Sequence, residues 1–404
     1  MTDVVRADPV IPATTYTAPA QAAAAPKGFA RLGARQPGYL FNPWFDFFCL
    51  GGGAVIILAL IAVLLPDGIS KAQQAMMIVV LMTLINQPHF AHSYQIFYRN
   101  FRDKAFGKMF PPKLRARYLF AGVVVPAALV IFFAVAVTTD NPRLLGYGAN
   151  IMFFTVGWHY VKQGYGILIV DSAQKGMKLS QDTKFILRVN GYASWFVSWL
   201  MANHAIAREL NYIGTQYYSI ELPTPAYQTV CVIAGFTTLM TLYALYKQWR
   251  ENGGKLPWNG VIGYLATLYL WVIFVRINPL FLAVVPTFHS LQYLAIVWRF
   301  QLNAEPSKPA PPARSNWETA LRFWTTNAWG QLALFIGLGV ALGYLGFVAA
   351  PKYLDAVGSY NREIFGNYLF MFVFSIFINV HHYFLDNVMW RRENPQMKLL
   401  LSRP

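Results

Sequence analysis

The sequence predicts an all-α protein, a polytopic bundle of about ten transmembrane helices, and three observations support this prediction. Of its 404 residues, 56% are hydrophobic and only 12% are charged, which is too apolar for an ordinary soluble domain. Ten apolar runs reach the roughly 20 residues that a helix needs to cross about 30 Å of hydrocarbon. Lys and Arg residues gather in alternate loops between these runs, as the positive-inside rule requires.

The apolar runs and the loop charges together give an orientation. Seven Lys and Arg residues lie between positions 99 and 117, whereas the loop after the third run holds Arg143 alone. This alternation predicts that both termini are cytoplasmic, in a bacterial-type inner or plasma membrane. The predicted spans are 46–65, 74–97, 118–138, 147–170, 185–206, 226–246, 259–277, 280–299, 329–349 and 366–390.

Composition divides the chain into three parts. Residues 1–44 are rich in Ala and Pro and predict a disordered cytoplasmic tail. Residues 45–392 form the transmembrane helical domain, with a Pro-rich cytoplasmic loop near 303–315, and 393–404 form a short cytoplasmic tail. The net charge of +16 sits in short loops, so membrane topology explains it and no nucleic-acid partner is expected.

The seven histidines all lie in or at the end of predicted spans, where such residues are rare and usually face a protein interior. His204 lies alone at the outer end of the fifth span and is expected to be interfacial. The segments HFAHSYQIFYR, HSLQYLAIVWR and HHYFLDNVMWR each begin with His and end in an aromatic residue and Arg. Ten residues of helix place each histidine roughly 15 Å inside the cytoplasmic boundary. The six histidines other than His204 lie on even-numbered spans: His89, His92, His159, His289, His381 and His382.

Several polar residues accompany the histidines at helical spacing. Asp386 follows His382 by four residues and therefore shares its helix face, as a ligand or as a group that orients the ring. Lys162 follows His159 by one turn, and it would either snorkel to the cytoplasm or hold an anionic head group. We predict Asp386 and Lys162 as catalytic residues.

An imidazole-rich site with little sulfur suits iron, copper or zinc. The shared depth of the histidines therefore predicts a transition-metal site of one or two ions. Non-haem iron is favoured, with copper, zinc or haem as alternatives. Interhelical hydrogen bonding and proton relay are the competing interpretations of membrane histidines. The predicted metal ligands are His89, His92, His159, His289, His381 and His382.

The motifs HFAH at 89–92 and HH at 381–382, with the single His159 and His289, resemble the membrane-embedded histidine-rich non-haem iron desaturases, hydroxylases and oxygenases. Such enzymes collect histidines from several helices around one or two irons. The resemblance implies that both pairs ligate iron, although the usual boxes, HxxxH and HxxHH, do not occur. The depth of the histidines in the membrane also suits a membrane carotenoid-cleaving oxygenase, with one iron held by about four histidines.

We therefore expect an enzyme: a membrane metalloenzyme, namely a non-haem iron oxidoreductase (oxygenase, hydroxylase or desaturase) acting on a lipid or isoprenoid. Its expected partners are membrane lipids, a hydrophobic small-molecule substrate and an electron donor. One alternative is a haem-binding electron-transfer or sensor protein with His159 and His289 as axial ligands. Another is a transporter in which intramembrane histidines and Lys162 couple protons or an anion.

Overall fold

A computed structural model describes residues 35–64, 70–206, 211–217, 223–277, 281–304, 315 and 328–401. Helices dominate these residues, and a helical stretch coincides with each of the ten predicted apolar runs. The sheet in this part of the chain is one antiparallel pair, β1 (Asn211–Tyr212) and β2 (Thr215–Gln216). The predicted all-α class is confirmed.

The helices are numbered in chain order. The first nine are α1 (Pro43–Phe47), α2 (Gly53–Leu64), α3 (Lys71–Leu81), α4 (Gln87–Tyr98), α5 (Phe101–Ala105), α6 (Pro112–Leu119), α7 (Val125–Thr138), α8 (Pro142–Gln174) and α9 (Gln181–Ile206). The next eight are α10 (Thr224–Glu251), α11 (Trp258–Ile277), α12 (Phe281–Ala304), α13 (Ala328–Tyr344), α14 (Ala350–Val357), α15 (Arg362–Phe365), α16 (Leu369–Met389) and α17 (Lys398–Leu401).

Five helical stretches of the described chain are long and apolar enough to cross a membrane, which agrees with a membrane protein. The 33-residue α8 is longer than any of them, but buried polar residues such as Asn150, His159 and Asp171 lower its hydropathy. The count of ten spans and the positions of the termini remain predictions. The five stretches are Pro43–Val63, Pro112–Thr138, Thr224–Glu251, Trp329–Val357 and Leu369–Met389.

The predicted disordered tail ends earlier than position 44. Residues 35–44 pack against the bundle, where Leu40 and Phe41 are buried. Their backbone amides donate hydrogen bonds of 2.6 and 3.0 Å to the buried carboxylate of Asp46 in α1. The Ala/Pro-rich composition that predicts disorder belongs to residues 1–34, which lie outside the described residues.

The segment after residue 393 is also structured. It contains a short 3-10 helix (Pro395–Met397) and α17, in which Leu400 is buried. The side-chain amide of Asn303 in α12 donates a 2.8 Å hydrogen bond to the carbonyl of Leu399. The predicted short tail is therefore docked on the end of α12 as far as residue 401.

In the described part of the chain, four five-residue π-helical segments interrupt the long helices. Three of them supply carbonyls to polar side chains. They are Phe48–Gly52, Met82–Asn86, Phe120–Val124 and Leu345–Ala349. Widening an α-helix locally redirects carbonyls, and such segments are frequent at functional sites. The carbonyl of Leu50 accepts a 2.6 Å bond from Gln292, and that of Ala121 accepts a 2.9 Å bond from His381.

Helices α4, α8, α12 and α16 form the centre of the bundle. Helix α16 packs against both α4 and α8, and α12 packs against α4. Below the histidines, toward the basic end of these helices, buried apolar side chains of α4, α12 and α16 form one cluster that includes Phe97, Tyr293, Val297, Leu385 and Met389. Helices α4, α12 and α16 are therefore fixed against one another by a continuous apolar layer.

The π-helical segment Phe48–Gly52 touches α11 through two glycines. Gly51 has φ +156°, and a Cβ built there would lie 2.8 Å from the Cα of Gly263. A Cβ on Gly263 would lie 2.5 Å from the carbonyl oxygen of Leu50. Since that carbonyl also accepts the bond from Gln292, the contact couples helix packing to the polar interior.

We expect Gly263→Ala to destabilise the protein by about 1–3 kcal/mol, because its methyl group overpacks a backbone contact. Thermal unfolding in detergent measures the effect. Gly235→Ala in α10 is the matched control, since a Cβ there meets nothing within 4 Å. If Gly263→Ala has the same unfolding temperature as the native protein, the close contact is contradicted.

Candidate metal centre

Four histidine rings from four helices meet in the middle of the bundle. They are His89 on α4, His159 on α8, His289 on α12 and His382 on α16, and all four are buried. Around the group, ring centroids are separated by 4.8 Å (His89 to His382), 4.8 Å (His382 to His159), 4.8 Å (His159 to His289) and 5.9 Å (His289 to His89). The rings therefore form a closed cycle of neighbours.

The orientation of the His89 ring is set from its Nδ1 side. The Nδ1–H group hydrogen-bonds to the carbonyl of Asn86, at the end of a π-helical segment. The hydroxyl of Ser290 on α12 lies 2.8 Å from the same nitrogen and also donates to the side chain of Asn86. A neutral imidazole with its proton on Nδ1 keeps the lone pair of Nε2, which is the arrangement a metal ligand needs.

The other three rings carry nitrogens without hydrogen-bond partners among the described residues. These are Nε2 of His159 and both ring nitrogens of His289 and His382. The faces of two rings are packed: His289 stacks on Tyr160 at 3.7 Å, and His159 stacks on Tyr383 at 4.7 Å. Aromatic neighbours thus fix the ring planes while the nitrogens stay available. Buried polar atoms are rarely left unsatisfied, so the arrangement indicates a missing partner.

Asp386 lies one helical turn below His382 and faces the histidines with one oxygen. Its Oδ1 accepts hydrogen bonds of 2.9 Å from the hydroxyls of Ser93 and Tyr293. Among the described residues its Oδ2 has no hydrogen-bond partner, and it lies 3.5 Å from His382 Nε2 and 3.8 Å from His159 Nε2. Two hydroxyls therefore hold one side of the carboxylate and leave the other for a cation.

The site has two layers related by the helical repeat. Ser93, Tyr293 and Asp386 each follow a histidine of the upper layer by four residues, on α4, α12 and α16 respectively. Residues four apart share a helix face, so three helices that bring histidines together also bring these three side chains together. The lower layer is the hydrogen-bonded group in which Asp386 accepts from the other two.

The charge of Asp386 needs a counter-ion in this setting. Ion pairs within reach of its carboxylate, among the described residues, are those with His159 and His382. Lys162, the lysine of α8, instead donates a 2.6 Å hydrogen bond to Asn387. A buried carboxylate without a Lys or Arg partner is costly unless it coordinates a metal or takes up a proton.

The residues present fit a metal ion. His159, His382 and Asp386 each offer a ligand atom within 4.8 Å of the others. With metal–nitrogen bonds of about 2.0–2.1 Å, imidazoles on one ion have neighbouring centroids roughly 4.5–5.5 Å apart. Three of the four neighbouring centroid distances, at 4.8 Å, lie in this range and the fourth, at 5.9 Å, lies slightly outside. His159, His382 and Asp386 could therefore hold one ion, and the rings of His89 and His289 lie beside this group.

Two of the six predicted ligands lie elsewhere, which corrects the prediction that all six face one site. His92 stacks on Phe335 at 3.7 Å, and its Nε2–H donates a 3.0 Å bond to the Phe335 carbonyl. The Nε2–H of His381 donates to Ala121, and its Nδ1 accepts a 2.8 Å bond from the Tyr94 hydroxyl. Both rings join helices, the role that interhelical hydrogen bonding predicts for a membrane histidine.

Lys162 is not at the centre either, which corrects its predicted catalytic position. Its ammonium lies 4.2 Å from the centroid of the Trp158 ring in addition to its bond with Asn387. A cation–π contact and a neutral amide satisfy the charge without an anionic ligand. The side chain of His204 lies outside the described residues.

Gln163 on α8 and Gln292 on α12, which follow His159 and His289 by about one turn, bond to the backbone and to each other instead of to the rings. The side-chain amide of Gln163 donates 3.0 and 3.1 Å hydrogen bonds to the carbonyl of His289 and to the side chain of Gln292. Sequence reasoning missed Ser93, Tyr293 and Ser290, which contact Asp386 and His89 directly. The spacing of four residues after a histidine was the available signal for the first two.

No protein-family model matches this chain, and no curated protein or solved structure is significantly similar to it.

We expect His289→Ala to lose bound metal by about tenfold or more, because it removes an imidazole whose two ring nitrogens have no hydrogen-bond partner among the described residues. His92→Ala is the matched control, since it removes a buried histidine outside the centre and should keep its metal. Elemental analysis of detergent-purified protein measures both, with thermal unfolding as a check that each variant is folded. Equal metal loss in the two variants would contradict the four-histidine assignment.

Proposed function

We propose that this protein is a membrane metalloenzyme that holds one non-haem iron ion with His89, His159, His289, His382 and Asp386. The observation that carries the proposal is six buried atoms without hydrogen-bond partners: five ring nitrogens and one carboxylate oxygen, all in the group. Imidazole and carboxylate together suit iron and other first-row metals. When bound, the metal would supply O₂ activation for oxidation of a hydrophobic substrate.

The chain itself would contribute orientation, charge and exclusion of water. The hydroxyls of Ser93 and Tyr293 would hold the carboxylate of Asp386, and the carbonyl of Asn86 would fix the tautomer of His89. The rings of Tyr160 and Tyr383 shield the centre from water. A dry, preorganised site strengthens every electrostatic contact within it.

A lipid or isoprenoid substrate is the class that we propose, because the outer surface of the bundle is apolar. The outer helices expose large apolar side chains, such as Ile131 on α7 and Val232 on α10, as lipid-facing helices do. The apolar, chain-like substrate would enter from the bilayer between the helices. This would make the enzyme an oxygenase, hydroxylase or desaturase of membrane lipids or dissolved isoprenoids.

We further propose that all ten helical stretches span a bacterial-type inner or plasma membrane with both termini cytoplasmic. The alternation of Lys and Arg between loops supports this orientation. The other five stretches, which are shorter or less apolar, include those that carry the histidines of α4, α8 and α12. Buried polar site residues reduce hydropathy without removing the length that a span requires.

The contacts favour non-haem iron over the two alternatives. His159 and His289, the pair considered as axial haem ligands, touch at 4.8 Å with an interplanar angle of 74°, which leaves no room for a porphyrin between them. In the transporter interpretation Lys162 holds an anion, but its ammonium is satisfied by Asn387 and Trp158.

We expect the protein loaded anaerobically with ferrous iron, then given O₂ and ascorbate as the source of electrons, to consume O₂ in the presence of membrane lipid extract and to form oxygenated or desaturated products. An oxygen electrode and mass spectrometry of the extracted lipids measure this. His289→Ala is the control that lacks the centre, and an optical spectrum tests for haem. Iron-loaded protein that leaves every lipid and isoprenoid unchanged, or a Soret band, would contradict the proposal.

A further inference from the structure

A small cavity lies at the basic end of the bundle, between the C-terminal ends of α4 and α12 and the docked helix α17. Its volume is about 90 Å³, which exceeds the roughly 30 Å³ that one water molecule occupies in the liquid. The space suits a group of the size of a phosphate. Apolar side chains close part of the wall, and the polar lining consists of Arg99, Asn100, Lys104, Gln301 and Gln396.

The lining of this cavity is cationic. Arg99 and Lys104 supply two positive charges and the three amides supply N–H donors, whereas the described lining holds no Asp or Glu. Neither cation forms an ion pair with a carboxylate of the described chain. Charged and neutral N–H donors around an enclosed space are the groups that bind an oxyanion.

Lys104 is buried, with only 3% of its surface exposed. Its ammonium donates hydrogen bonds of 2.7 and 3.2 Å to the carbonyls of Ile96 and Phe97, at the C-terminal end of α4. An ammonium has three N–H donors, so one remains for a further acceptor. Burial and the nearby charge of Arg99 lower the pKa of Lys104 to about 8. Since a buried charge is costly without an opposite charge, an anion in the cavity would be stabilising.

Two other cations at the basic end differ from Lys104, because each has a carboxylate partner. Lys175, directly after α8, lines a larger cavity of about 880 Å³ but donates 2.7 and 2.8 Å hydrogen bonds to the two oxygens of Asp171. Arg117 forms a 2.6 Å ion pair with Glu393. The lack of a carboxylate partner therefore distinguishes Lys104 from these cations and is not a general property of this end.

We propose that the small cavity is a binding site for a phosphate group. In the proposed orientation it lies at the cytoplasmic surface of the membrane, at the level of the interfacial pair Tyr98 and Arg99. Basic pockets between helices on this side bind the head groups of anionic lipids. A free phosphate offers the same chemistry, and the experiment below separates the two sources. The site does not depend on the metal centre or on its proposed function.

A phosphate group in this cavity would join three segments of the chain. Arg99 and Lys104 lie in the segment after α4, Gln301 lies on α12, and Gln396 lies in the short 3-10 helix before α17. Helices α4 and α12 also carry His89 and His289. Because the bound group would contact the folded arrangement of all three segments, it would stabilise the folded protein.

The test measures the unfolding temperature of the full-length protein, purified in an uncharged detergent and freed of bound lipid by washing. One arm adds inorganic phosphate, with sodium chloride at the same ionic strength as its control, because salt screens surface charges. The other arm adds phosphatidylglycerol, which is anionic, with zwitterionic phosphatidylcholine as its control. A ligand that binds the folded protein raises the unfolding temperature as its concentration increases.

The variants are Lys104→Met, which keeps the length of the buried side chain but removes its charge, and Arg99→Gln, which removes the exposed cation. Lys108→Met is the matched control, since Lys108 is an exposed lysine of the same loop and does not line the cavity. The readout is the change in unfolding temperature that the ligand causes. A purely structural role of Lys104 would lower the starting temperature and leave this change intact.

We expect phosphatidylglycerol, inorganic phosphate or both to raise the unfolding temperature of the native protein by about 3 °C or more. A rise with phosphatidylglycerol alone identifies a lipid head group as the source, and a rise with inorganic phosphate identifies a site open to free phosphate. Lys104→Met and Arg99→Gln should need about tenfold more ligand for the same rise, because each loses a charged hydrogen bond. Lys108→Met should match the native protein.

Three results would overturn the phosphate site. The first is a rise no larger than that given by sodium chloride and phosphatidylcholine. The second is native ligand dependence in Arg99→Gln or in a folded Lys104→Met, and Arg99→Gln decides alone if Lys104→Met does not fold. The third is equal weakening by Lys108→Met, which would assign the effect to surface charge in general.

Discussion

The structure depends on one constraint: a carboxylate and four imidazoles are buried together in an apolar helical bundle without enough hydrogen-bond partners. Asp386 has one oxygen satisfied by hydroxyls and one that faces His159 and His382. Removing charge from water inside a membrane protein is costly unless an opposite charge accompanies it. A divalent cation at this point would supply that charge and would use the unpaired ring nitrogens at the same time.

The rest of the bundle positions these groups through backbone carbonyls. Three π-helical segments present carbonyls to Gln292, His89 and His381. The bonds to Gln292 and His381 tie a central helix to a neighbouring segment, and the bond to His89 lies within one helical stretch. His92 and His381 bond to carbonyls of other segments and serve as interhelical contacts, whereas the rings of the other four histidines lie together. One helix register places the histidines in one layer and Ser93, Tyr293 and Asp386 in the next.

The sequence predicted the helices and the histidine depth better than the ligand set. Apolar length locates the ten long helical stretches but not the short helices α5, α15 and α17. The distance from His89, His289 and His381 to an aromatic-Arg pair indicates a common level. The separation of His381 from His382 depends on their 100° rotation around α16 and on a carbonyl 260 residues away. His92 likewise depends on Phe335, 243 residues distant. A local sequence pattern does not contain such distant partners. The sequence therefore could not show which four of the six predicted histidines meet.

X-ray absorption spectroscopy at the iron edge of the loaded, purified protein tests the central claim most directly, because it counts the ligands of the ion. Four imidazoles give characteristic outer-shell scattering, and nitrogen and oxygen donors should lie about 2.0–2.2 Å from the metal. We predict four imidazoles plus one oxygen donor in the native protein, and a loss of one imidazole in any His89, His159, His289 or His382 variant that still holds iron. Scattering from two or fewer imidazoles would contradict the assignment of this buried group as the metal centre.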